Sequence, residues 1–153
     1  MAQLPYYVII IFLGFGGFLI AMYIRHHKKN VQEALICPLK ANCDTVIHSD
    51  YSKFVGIPVE TLGMTYYAFI TIGYGLVIIF PLIYVPLVAS GLLTATVFAF
   101  MFSIYLTLIQ AFALKNWCTW CLISAGICVT IFGLSASDSP FLAPLFSSMI
   151  LGL

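Results

Sequence analysis

Five cysteines occur in the chain. Four of them fall as two pairs, Cys37 with Cys43, five residues between, and Cys118 with Cys121, two residues between. Paired sulfurs support three kinds of chemistry: disulfide exchange through a mixed disulfide, fixed structural crosslinks, or metal ligation. Zinc ligand pairs are usually spaced by roughly two to four residues, so the Cys37 pair fits a metal knuckle poorly and no metal is expected. A haem attachment would need histidine directly after Cys121, where the chain has Leu122. Exchange and static crosslinking therefore both stay open on spacing alone. Cys128, seven residues beyond Cys121, reads as a small buried apolar residue rather than a redox group.

The elements that must position these sulfurs follow from the composition. Of 153 residues, 63% are hydrophobic and 7% charged, and the mean hydropathy is +1.11. An average soluble domain has about 45–50% apolar and about 25% charged residues, so a soluble globule is excluded. Six Lys+Arg against five Asp+Glu leave a formal charge of +1, which gives no electrostatic footprint for nucleic acid. The pattern is that of a small polytopic protein whose main surroundings are membrane lipid.

Pro5 to Ile24 is uncharged over twenty residues, enough at about 1.5 Å per residue to cross the hydrocarbon core. Arg25-His26-His27-Lys28-Lys29 closes it, and the absence of a basic leader or an A-x-A-like site favours a retained anchor over a cleaved signal. Residues 25–60 carry nearly all the charge and the first cysteine pair. From Glu60 to Lys115 no charge occurs for 54 positions, about 81 Å as one helix, so the run must fold back. Pro81 and Pro86 mark the turn. A fourth run follows Asn116, a candidate N-cap for a helix beginning at Trp117. The sequence thus predicts an all-α bundle of four membrane helices, about 5–24, 62–80, 87–113 and 117–136, with a cysteine-bearing loop or short helix between the first two. Residues 1–138 form one membrane oxidoreductase domain and 139–153 a short apolar tail.

Four spans put both cysteine pairs on one membrane face, the minimum apparatus for a thiol–disulfide relay. With Asn116 as cap, Cys118 would occupy the second helical position, where free N–H groups, the helix dipole and Lys115 favour a thiolate. Cys121, one turn deeper, could face a lipid-soluble acceptor, and membrane quinones are two-electron acceptors of that kind. Around this core the remaining residues read simply. Gly14, Gly16, Gly17, Gly73 and Gly75 suit close helix approach. Tyr6, Tyr7, Tyr23, Tyr84, Trp117 and Trp120 read as interface anchors. His26, His27 and His48 read as solvated, Lys28 as a topological charge, and Glu60 as solvated or capping.

A cysteine pair, then Ser49 and Tyr51, then Gly56-Ile57-Pro58 and Leu62-Gly63, then Cys118-Thr119-Trp120-Cys121 opening the last helix, resembles the vitamin K epoxide reductase family in its prokaryotic form over roughly residues 5–135. The resemblance implies a four-helix bundle around a quinone of the menaquinone or ubiquinone type, without a metal. It implies an enzyme that generates protein disulfides with electrons from a thioredoxin-like partner. By position, Cys37 would receive those electrons, Cys43 would pass them to Cys118, and Cys121 would lie nearest the quinone ring. Ser49 and Tyr51 match the family's positions near the quinone. Ala125 stands where vertebrate members carry a tyrosine linked to epoxide chemistry, which favours plain quinone reduction. The spans account for the whole length, so the redox partner is expected as a separate chain. A non-enzymatic membrane protein with structural disulfides is the alternative.

Orientation divides the two lines of reasoning. Arg25, Lys28, Lys29, Lys40, Lys53 and Lys115 all lie on the cysteine-bearing side, and by the positive-inside rule that face is cytoplasmic. The family's habit, by resemblance, is to oxidise proteins outside the cytoplasm.

Overall fold

A computed structural model of the protein describes residues 4–30, 36–37, 42–83, 86–138, 148 and 151–152. Four long helices dominate. The first, α1, spans Leu4–Lys29, followed after the polar segment by a short helix α2 at Cys43–Ile47. A 3-10 turn at Asp50–Ser52 leads into a two-stranded antiparallel hairpin, β1 Lys53–Phe54 and β2 Ile57–Pro58, closed by Val55 and Gly56 with φ of 52° and 80°. Then come α3 at Val59–Ile79, a 3-10 turn at Pro81–Ile83, and α4 at Pro86–Leu108. A π-helical segment at Ile109–Leu114 extends α4, and α5 runs over Thr119–Asp138.

All four long helices have the length and apolarity to cross a membrane. The spans are uncharged because a buried charge in hydrocarbon is costly, and helical because only internal hydrogen bonds satisfy the backbone there. The proline pair divides the long apolar run at the expected place, with the 3-10 turn at Pro81 and α4 starting at Pro86. Most of the 139–153 tail, and Tyr84 and Lys40, lie outside the described residues.

Helix α1 packs on α3 and α5, and α5 packs on α4, whereas α3 and α4 make few contacts with each other. Ile10, Ile70 and Ile131 are fully buried at the common seam. Glycine permits the closest approach at specific sites only. A Cβ on Gly17 would come within 2.5 Å of the Tyr67 ring, and one on Gly73 within 2.6 Å of Leu92, whereas Gly16 and Gly75 face open space. Tyr67, laid across Gly17, then reaches Ser124 of α5 through its hydroxyl, 2.8 Å from both the carbonyl and Oγ. Tyr7 is no interface anchor: it is buried in the same core, its ring 5.4 Å from that of Tyr74.

Candidate functional site

At the end of the bundle where α1 finishes and α3 and α5 begin, the polar segment folds over the helices. Cys37 and Cys43 are joined as a disulfide with their Cα atoms 6.1 Å apart. Cys118, Cys121 and Cys128 are free thiols. Cys43 and Cys118 are almost wholly buried in one apolar cluster with Ile24, Val46 and Ile47, against which Cys37, Trp120 and Cys121 also pack. The two cysteine-bearing segments are tied beside their sulfurs. Asn42 donates to the Asn116 side-chain oxygen at 3.0 Å, and Trp120 Nε1 donates to the Ile36 carbonyl at 3.1 Å. Ile36, Asn42 and Trp120 each adjoin a cysteine and Asn116 is two residues from Cys118, so the pairs are held in register by these ties as well as by burial.

The start of α5 differs from the sequence expectation. The helix begins at Thr119, two residues later than proposed, and Cys118 rather than Asn116 holds the capping position. Asn116 is drawn away by tertiary partners: its side chain donates to the Leu114 carbonyl at 3.0 Å and accepts from Asn42. Cys118 takes over the cap. Its carbonyl accepts from the Leu122 N–H at 3.0 Å, and its Sγ accepts from the Cys121 N–H at 3.4 Å. Its own N–H is satisfied by Gln110 Oε1 at 3.2 Å. Gln110 reaches it because the π-helical segment widens the end of α4, a contact nothing in the apolar run around it signals.

The Cys118 thiol is held below its ordinary pKa, chiefly by the hydrogen bond from the Cys121 side chain. Backbone N–H groups of Cys121 and Trp120 add to this, while burial works in the opposite direction. The direction and the backbone N–H donors match the sequence expectation, whereas the largest cause is the Cys121 side chain and Lys115 is not among the causes.

Beside Cys121 opens a cavity of about 740 Å³. It occupies the space left where α3 and α4 stand apart, with α5 contributing Cys121, Ser124, Ala125 and Cys128. Ser49 and Tyr51 line its mouth, so the sequence-chosen residues do meet at one place. Ser49 Oγ donates to the Val46 carbonyl at 2.7 Å rather than capping the 3-10 turn that follows it. Tyr51 is about half exposed. The lining is mostly apolar, formed by side chains such as Phe98, Phe102 and Leu106, a surface suited to a flat, greasy ligand.

Glu60 corrects another expectation. It is not solvated: its side chain is 8% exposed and pairs with Lys28, itself 16% exposed, at 3.2 Å. Lys28 also donates to Ser52 Oγ at 3.1 Å. The reason is geometric, since the last turn of α1 lies beside the first turn of α3, where a carboxylate also meets the positive end of the helix dipole. Glu60 lines the cavity, and sequence reasoning missed it because its partner lies 32 residues away.

No curated relative matches the chain. A family model does: that of the vitamin K epoxide reductase family, over residues 8–136. The match takes in all four long helices, both cysteine pairs and the cavity between α3 and α4. The chain thus belongs to the vitamin K epoxide reductase family, membrane oxidoreductases of thiols and disulfides that work with a quinone.

Proposed function

We propose that the protein generates disulfides in a separate thioredoxin-like partner and disposes of the electrons through a quinone bound beside Cys121. A partner dithiol attacks the Cys37–Cys43 disulfide at Cys37, and resolution of that mixed disulfide releases the oxidised partner and leaves both loop cysteines reduced. Cys43 then attacks Cys118 of an oxidised Cys118–Cys121 pair, freeing Cys121. Cys37 closes on Cys43, which restores the loop disulfide and leaves Cys118 and Cys121 as thiols. When bound, the quinone supplies the sink for the two electrons and two protons that this last pair loses on closing its own disulfide.

The observation that carries this reading is the placement of Cys121. It packs against the cluster containing Cys43 and Cys118 and also lines the cavity, so it has a sulfur relay on one side and an apolar site on the other. Cys118 and Cys121 would transfer the electrons, while Cys121, Ser49 and Tyr51 would hold the quinone. The test is anaerobic quinone reduction by the purified protein. Cys121→Ala should abolish it with any thiol donor. Cys37→Ala should stop turnover with a protein dithiol yet leave part of the activity driven by a small dithiol. Full activity of the Cys121 variant would defeat the assignment and return the cysteines to a structural role.

The charge distribution supports a second, independent element of the proposal, that the cysteine face lies in the cytoplasm. Among the described residues, Arg25, Lys28, Lys29, Lys53 and Lys115 all fall on that side of the bundle.

A further inference from the structure

One residue of the cavity wall buries a polar atom that the fold leaves without a partner. Tyr66, on α3, buries its hydroxyl with no hydrogen bond, and it is the one such buried side-chain oxygen or nitrogen among the described residues. Three other polar side chains of the lining are committed: Tyr67 to Ser124, Glu60 to Lys28, Gln110 to the Cys118 N–H. Thr96 and Cys128 lie near it, but neither completes a hydrogen bond of good geometry with the phenol, and the Thr96 hydroxyl is donated to the Leu92 carbonyl at 2.8 Å. A phenol left dry is costly, and native proteins keep such groups where a ligand or water completes them.

Depth gives the hydroxyl a meaning. Tyr66 lies seven residues into α3 and Cys128 seven residues beyond Cys121 on α5, each about 10 Å along its helix at roughly 1.5 Å per residue. Helices α3 and α5 start at the same end of the bundle, and Tyr66 and Cys128 both line the cavity. Tyr66 therefore stands deeper along the cavity than Cys121, which lies only two residues into α5.

Building on the quinone reading above, we propose that Tyr66 is the positioning residue of the site: its hydroxyl donates a hydrogen bond to the inner carbonyl oxygen of the quinone. That bond turns the opposite edge of the ring toward Cys121. The ligand class it selects is a para-quinone or a molecule with an acceptor at the same depth. A ring lacking that acceptor would leave the phenol unpaired and bind less well.

The experiment uses the full-length protein in detergent with a short-chain naphthoquinone and a short-chain benzoquinone as probes. Tyr66→Phe removes only the oxygen. It should weaken binding of the preferred quinone about tenfold, equivalent to about 1.4 kcal/mol, while the ligand-free variant melts no lower than the wild type, because the atom removed has no partner there. With carbonyl-labelled quinone, the wild-type complex should show one infrared carbonyl band shifted down, and the variant should lose that shift. Equal affinity in the variant, or an unshifted band in the wild type, overturns the role of Tyr66 and leaves the quinone reading intact. Absence of binding of either quinone to the wild type removes both.

Discussion

At Cys118 the local chemistry comes from one turn of backbone. A sulfur in a capping position accepts the Cys121 N–H, the Cys121 thiol adds a second donor, and Gln110 keeps the Cys118 N–H from going unpaired in an apolar cluster. In the proposed relay Cys118 is the sulfur released when Cys37 closes on Cys43, and a thiol of lower pKa leaves faster, so a lowered pKa matters directly. As pH falls, Cys118 keeps its charge below the range where a free thiol is protonated, and loses it only on passing its own lowered value. Cys118 should therefore still leave as a thiolate in mildly acidic solution. In a background lacking Cys37 and Cys43, the thiolate ultraviolet absorbance of Cys118 should titrate below the ordinary thiol range. Adding Cys121→Ala should move that titration upward, because the largest cause of the shift is then gone. An unmoved titration would mean that something other than the neighbouring thiol sets it. Cys128, by contrast, is buried in the cavity wall two turns beyond Cys121 and has no exchange partner in reach of this arrangement.

At the scale of the helices, what places Cys121 beside a cavity is the junction of α1, α3 and α5. Tyr67 lies across Gly17 and bonds Ser124, one turn beyond Cys121 on α5. Gly17→Ala would drive a methyl to within 2.5 Å of that ring. The ring must move, and overpacking of this kind costs about 1–3 kcal/mol. The expected result is a lower melting temperature and weakened quinone binding together. Gly16→Ala, facing open space one residue earlier, should change neither, and equal effects of the two variants would show that Tyr67 does not bear on α1 in the way described. The helices themselves were legible in the sequence because lipid forbids charge: the uncharged run after Glu60 and the prolines at 81 and 86 leave few ways to fold. The start of α5 was not. Asn116 is the better intrinsic cap, and only its bond to Asn42, 74 residues away in sequence, explains why Cys118 takes that place. Tyr66, Glu60 and Gln110 were hidden for the same reason, since each acquires its meaning from a helix far along the chain.

On the scale of the whole molecule, the two ends of the bundle differ in basic charge. Among the described residues, Arg25, Lys28, Lys29, Lys53 and Lys115 belong to the cysteine end, and the turn between α3 and α4 has neither Lys nor Arg in its sequence. The ion pair of Lys28 with Glu60 does not weaken the argument, because acidic residues contribute little to topology and the bias rests on the count of Lys and Arg near the spans. A cytoplasmic cysteine face would make the electron donor a cytosolic dithiol, an arrangement suited to a cell that keeps disulfides in its cytosol. Reporter fusions separate the two orientations. An enzyme active only outside the cytoplasm should work when joined after Leu153 and stay inactive when inserted at Asn30, and an enzyme active only inside should give the reverse pattern. Activity of the external reporter at Asn30 would place the relay on the outer face, and the donor would then be an exported protein. Either result leaves the cavity between α3 and α4 within the bilayer, because its lining belongs chiefly to the spans and not to the loop.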